Sequence, residues 1–185
     1  ACRDLGILTV GIVTIPFKFE GKKRSNQADS GLNNMRDSVD TLLVIRNDKL
    51  RELYGNQTLR KAFKNADQVL CIAAKGIAEV ITRTGEINVD MNDVNTVMRQ
   101  SGNAIMGSGM ASGEGRSKYA VIAALESPLL NDNDITGAKH VLLNITVGNE
   151  EILMDEIMEI TDYIQEAAGQ NAEVIWGYAM DDQLE

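Results

Sequence analysis

The chain has 185 residues, 44% of them hydrophobic but only 4% aromatic, so it can build one medium domain or two small ones around an aliphatic core. A formal net charge of −9, from 27 acidic and 18 basic residues, argues against non-specific binding to nucleic acid or to anionic membrane. One histidine excludes any site that needs two, and two distant cysteines make no metal-ligand spacing.

In chain order, the opening residues ACRDLGILTV read as a helix end running straight into a strand. That start suggests a piece of something longer. No signal-peptide pattern is visible, and no apolar run reaches the ~18 residues of a membrane span. Residues 7–14 (ILTVGIVT) suit a strand covered on both faces, ended by Pro16. A loop, FKFEGKKR, pivots on Gly21. Residues 24–39 carry Ala28, Leu32, Met35 and Val39 at helical spacing, and residues 41–45 (TLLVI) read as the next strand. This is a βαβ unit with parallel strands. Asn47 then reads as the cap of a short helix that Gly55 closes.

Residues 58–82 form the longest predicted helix. Leu59, Ala62, Phe63, Ala66, Val69, Leu70, Ala73, Ile77, Val80 and Ile81 recur with a period of 3.6. Thr58 reads as its cap, and Gly85 as a left-handed residue just beyond its end. Cys71, inside this helix, reads as a reduced thiol. Residues 90–100 suggest another helix, and residues 103–112 (NAIMGSGMAS) a glycine-broken strand. Residues 116–127 read as a helix capped by Ser112, with Tyr119, Ile122, Ala123 and Leu125 on its apolar face and Pro128 at its end. Residues 140–146 are a strand. Residues 152–168 are an amphipathic helix through Leu153, Ile157, Ile160 and Ile164, and residues 172–179 a last strand. The second half therefore reads as three strands alternating with helices.

Three groups could carry chemistry. Asn88, Asp90 and Asp93 sit at a predicted helix start, where two carboxylates three apart project to one side. They can polarise a water; equally, Asp90 can cap the helix and Asp93 favour its positive end. Glu20 and Arg24 lie in a loop after a strand, where α/β sheets bind ligands. A glutamate there can accept hydrogen bonds from a ribose and an arginine can face a phosphate; a surface ion pair is the simpler alternative. Asp67, one turn beyond Phe63, can accept two N–H bonds side by side or simply face solvent, and Phe63 alone reads as core. GSGMASGEGR has the composition of a phosphate loop but lacks the lysine followed by Ser or Thr.

Six blocks carry a resemblance: LGILTVGIVTIPFKFEGKKR, VDTLLVIRNDKL, GIAEVITRTGEINVDMNDVNTVM, MGSGMASGEGR, ESPLL and VLLNIT. In sequence and spacing they resemble the FtsZ family of bacterial tubulin homologues. The resemblance runs in order over essentially the whole chain. It implies a tubulin/FtsZ-like α/β fold. Residues 1–57 would be the end of a parallel-sheet GTPase domain, residues 58–84 a central helix, and residues 85–185 a smaller C-terminal α/β domain. It implies a GTPase that polymerises head to tail and hydrolyses GTP at each subunit junction in the cell division ring.

Residue by residue, the resemblance places Glu20 and Arg24 on the ribose and nucleotide. Asp67 would read guanine, with Phe63 against the base. Asn88, Asp90 and Asp93 would be the loop that enters the next subunit's nucleotide pocket and positions the attacking water. It further implies GTP/GDP as the bound nucleotide and Mg2+ that no residue here can be assigned to. Other FtsZ subunits and division accessory proteins would be the partners, with no nucleic acid and no direct membrane insertion, in the cytoplasm at the septum.

The departures from the family matter. Its glycine-rich GGGTGTG loop does not occur in this chain, and a final strand after DDQLE is expected to be missing. This chain alone is therefore expected to bind GTP negligibly. A non-catalytic interaction module that docks on or caps filaments is the alternative reading. Residues 1–56 are expected to be less ordered than the rest, because their strands belong to a larger sheet. Glu86, Met91 and Asn92 replace residues that are usually apolar, small or aromatic.

Overall fold

The computed structural model describes residues 2–55, 57–127 and 135–184. Its first sheet has the order β1-β2-β3 and is parallel throughout. β1 (Val10–Ile15) pairs with β2 (Thr41–Arg46) from Val10↔Thr41 to Ile15↔Arg46. The predicted start of β1 at Ile7 is not reached. Residues 3–5 form a 3-10 turn, the Ile7 N–H is taken by the Cys2 carbonyl, and Asp40 holds Thr9 through both side chain and backbone. β2 is the central strand, which is why Leu42, Leu43 and Ile45 are fully buried.

The crossover between β1 and β2 is helix α1 (Lys22–Arg36), which stops short of Val39 and buries no residue completely. Helix α2 (Asn47–Tyr54) follows β2 directly. Asn47 does not cap it. Arg46 holds the cap position without a side-chain bond, and Asn47, the first helical residue, is buried. Gly55 closes α2 with a positive φ, its N–H donating to Arg51 O at 3.0 Å.

The long helix is α3 (Leu59–Thr82), 24 residues or about 36 Å. Thr58 contributes through its backbone, its carbonyl accepting from Lys61 and Ala62. Ala66, Val69 and Ala73 are its buried stripe. The chain divides into two compact units inside this helix, between Gly76 and Ile77. The first unit also takes in Met98–Met106, and the second takes in Ile77–Val97 and Gly107–Ser127.

Two expectations for this stretch need correction. Helix α4 (Met91–Met98) ends early, because Gln100 turns left-handed at φ 56°. The glycine-broken strand shrinks to β3 (Gly102–Ala104), which pairs with β2 and so belongs to the first sheet. Residues 105–112 form no strand.

In the second unit, β4 (His140–Val147) and β5 (Glu173–Met180) are parallel partners from His140↔Glu173 to Val147↔Met180. Helix α6 (Met154–Ala168) is their crossover and buries Ile160, Ile164 and Ala168. Leu153 precedes this helix and is exposed, rather than lying on its apolar face. Helix α5 (Arg116–Leu125) packs on α6. It starts from Gly115 at φ 73°, not from a Ser112 cap; Val121 and Ser117 are its buried residues, and Tyr119 is exposed. Pro128, expected to end α5, lies outside the described residues. Val121, Ile145, Ile160, Ile164 and Tyr178 form one core. Among the described residues no helix is long and apolar enough to cross a membrane.

Candidate functional site

The carboxyl ends of β1 and β2 carry the first group of candidates. After β1 the chain makes a 3-10 turn, Lys18–Glu20, pinned to the start of α2 by Lys18 N–H donating to Asp48 Oδ1 at 3.2 Å. Glu20 Oε1 accepts the Phe17 N–H at 3.0 Å, and Oε2 accepts Arg24 Nη1 at 2.7 Å. The ion-pair reading therefore describes Glu20 and Arg24 as they stand, although the Arg24 side chain is largely solvent-exposed.

Three phenylalanines meet at this corner. Phe17 is buried and stacks on Phe19, with centroids 4.9 Å apart. Phe63, from α3, meets both rings edge-on at 5.6 and 6.4 Å. Phe63 is not plain core: it is 39% exposed, and Phe19 is 56% exposed. Glu20, Arg24 and Phe63 are thus gathered around one open aromatic corner, and the exposed Asp67 follows Phe63 one turn along α3. Such a corner suits a flat ring, with a carboxylate for N–H or hydroxyl donors and an arginine for a phosphate.

One residue of this corner escaped the sequence reading. Asn47, at the carboxyl end of β2, is 6% exposed, and its Oδ1 has no hydrogen-bond partner among the described residues. A buried acceptor without a donor is costly unless a ligand or water supplies one. The signal in the sequence is an asparagine directly after an apolar strand, a position that helix capping also accounts for.

The second group lies in the second unit. Asp90 Oδ1 accepts the N–H groups of Asn92 at 2.6 Å and Asp93 at 2.8 Å, while Asp93 Oδ2 accepts the Asp90 N–H at 3.2 Å. This is a reciprocal capping box at the start of α4. It occupies one oxygen of each carboxylate; Asp90 Oδ2 and Asp93 Oδ1 have no such bond among the described residues. The Asn88 side chain is closed on Gly85, accepting its N–H at 2.6 Å and donating to its carbonyl at 2.9 Å. Gly85 does not adopt the left-handed conformation expected of it. It is glycine because a Cβ there would overlap the Tyr178 carbonyl.

Residues 1–55 match the family model for the GTPase domain of the tubulin/FtsZ family, and residues 102–185 match that for the C-terminal domain of the FtsZ family. The cell division protein FtsZ of Coxiella burnetii is 46% identical over 183 residues, which are 98% of this chain and 47% of that one. That of Porphyromonas gingivalis is 45% identical over 182 residues, 98% of this chain and 40% of that one. A solved structure, "FtsZ dimer, empty" from M. jannaschii, superposes with a TM-score of 0.90 at 44% identity, covering all of this chain and 53% of that one.

The chain belongs to the FtsZ family. Its fold is the tubulin/FtsZ fold of parallel sheets and helices. It spans about half the length of the curated FtsZ relatives it matches. The aromatic corner falls mostly within the segment matched to the GTPase domain. The NVDMND loop (residues 88–93) falls between the two matched segments.

Proposed function

We propose that this chain is part of a self-polymerising GTPase of bacterial cell division. Its first unit supplies base and ribose contacts, and its 88–93 loop activates GTP hydrolysis in an adjacent subunit. The observation that carries this reading is the divided use of the two carboxylates. Capping alone would be served by one oxygen of Asp90 and one of Asp93; the other oxygens of this pair are available to a water. Asn47 adds support at the other site, since guanine presents N–H donors to a buried acceptor.

In this scheme Phe63 packs against the base, and Asp67 and Asn47 accept its N–H groups. Glu20 accepts from the ribose and Arg24 offers its exposed guanidinium to the nucleotide. Asp90 and Asp93 orient a water and take its proton as its oxygen attacks the γ-phosphorus. The bond to the β-phosphate oxygen breaks, leaving GDP and inorganic phosphate. Asn88 holds the loop in shape through Gly85. A Mg2+ on the phosphates would need few protein ligands, and no residue of this chain is assigned to it.

GTP turnover by an upstream nucleotide-binding half mixed with this chain tests the scheme. Asp93→Asn keeps an acceptor for the Asp90 N–H and removes the charge. It is expected to lower turnover by about 10² to 10⁴, the usual worth of a general base. Unchanged turnover reduces Asp93 to a cap. A second reading, a non-catalytic module that docks on filaments, is favoured by the lack of a GGGTGTG loop in these 185 residues. It gains if the chain binds the upstream half and never restores turnover.

A further inference from the structure

The acid loop does not hang from the end of α3; it is laid along the outer edge of β5 at four points. The Arg83 guanidinium pairs with Asp181, just beyond the strand. Gly85 packs flat on the Tyr178 carbonyl, where no side chain would fit. Ile87 and Tyr178 form an isolated antiparallel bridge, Tyr178 N–H donating to Ile87 O at 2.8 Å and Ile87 N–H to Tyr178 O at 3.2 Å. Val89, one residue before Asp90, closes over Gly177: a Cβ on Gly177 would lie 3.0 Å from Val89 Cγ2 and 3.1 Å from Ile87 O.

The spacing at Gly177 is tight enough that a methyl group would push the loop outward by a few tenths of an ångström. A strand edge normally offers its N–H and C=O groups to any passing chain. Here that edge is used as a template for the loop. The bare Gly177 sets how closely Val89, and hence the capping box after it, can approach.

We infer that Gly177 is a positioning residue for Asp90 and Asp93, fixing through Val89 the place from which the two carboxylates reach the reacting water. The inference rests on the reading that the acid loop acts in hydrolysis. Gly177 touches no nucleotide in that scheme; it acts only through the loop. Misplacing a reacting group by a fraction of an ångström costs rate while leaving ground-state binding alone.

The test, in the mixture with the upstream nucleotide-binding half, is Gly177→Ala, alone and combined with Val89→Ala, which removes the nearer of the two contacts the new methyl makes and leaves the Ile87 carbonyl; Val89→Ala alone is the control. The expected result is a fall in kcat of about tenfold at unchanged KM for GTP and unchanged thermal midpoint, part of it restored in the double variant. Turnover at the unsubstituted rate overturns the inference. So does a loss that tracks the thermal midpoint and is not restored by Val89→Ala. If Asp93→Asn is itself without effect, the failure belongs to the acid-loop reading, and amide chemical shifts of the labelled chain decide the rest. Shifts displaced at Val89, Asp90 and Asp93 by Gly177→Ala, with those of Asp90 and Asp93 moved back by Val89→Ala, sustain the positioning role. Unmoved shifts overturn it.

Discussion

The chain contains the same motif twice, strand–helix–strand with parallel pairing, and the two copies are finished differently. In β4-α6-β5 the crossover helix buries Ile160, Ile164 and Ala168, and the outer edge of β5 is bridged by the acid loop. In β1-α1-β2 the crossover helix buries no residue completely, and among the described residues β1 pairs with β2 alone. The sequences explain the contrast. MDEIMEITDYIQEAA keeps isoleucines at positions 157, 160 and 164, whereas KKRSNQADSGLNNMR offers Ala28, Leu32 and Met35 on an otherwise polar helix. The second unit is built to hold its shape by its own core. The first opens a corner with two half-exposed rings and a buried asparagine whose Oδ1 has no partner among the described residues, features that cost stability.

The largest difference should come from the crossover helices. Ile164→Ala removes a nearly fully buried side chain and is expected to cost about 2–5 kcal/mol in the second unit. Leu32→Ala, on a half-buried side chain, should cost about 1 kcal/mol in the first. Urea unfolding followed by amide exchange of β1 and β5 separates the two units. Equal losses, or β1 amides protected as well as those of β5, would remove the contrast.

Ion pairs sharpen it next. Arg116 donates from Nε and Nη2 to both oxygens of Glu156, at 2.8 and 3.0 Å, and reaches the Glu151 carbonyl at 2.7 Å, with both side chains about one-fifth exposed. Arg116→Ala leaves Glu156 without its partner, a loss of about 3 kcal/mol. Arg24→Ala removes an arginine that is 69% exposed from a Glu20 carboxylate that is itself 12% exposed and keeps the Phe17 N–H, and should cost about 1 kcal/mol. Thermal midpoints of the two variants compare them directly. A larger fall for Arg24→Ala would mean that the aromatic corner, not the α5–α6 clamp, is the structural keystone.

What could be read from the residues was what depends on near neighbours. The 3.6 period marked α3 to within one residue of its start, and the spacing of Asn88, Asp90 and Asp93 marked both the acid loop and its capping role. What could not be read depends on distant partners. Nothing in NAIMGSGMAS says that only three residues will be strand, or that they will pair with β2 instead of with their sequence neighbours. Local rules make Gly85 a left-handed helix stop; the Tyr178 carbonyl that requires a glycine is 93 residues away in sequence. Phe63 reads as core from its residue type, whereas the resemblance sets it against a base, and only the assembled corner shows the ring half open.

The smallest effect is a pH dependence confined to the second unit. The Arg116 guanidinium holds the Glu156 carboxyl below its usual value of 4.5; burial pulls the other way, and the Leu153 N–H adds to the lowering. A carboxyl whose pKa is depressed by folding contributes stability above its unfolded pKa and loses it as pH falls through the folded one. Unfolding free energy of the second unit should therefore begin to drop below about pH 4.5 and keep dropping through the lowered value. Glu156→Gln should lower stability at neutral pH and flatten that acid limb. Urea midpoints between pH 3 and pH 7 read the slope, with Glu20→Gln as the comparison from the first unit. If Glu156→Gln leaves the slope as steep as before, the acid sensitivity of this unit lies in another of its carboxylates, and the clamp holds α5 to α6 by geometry more than by charge.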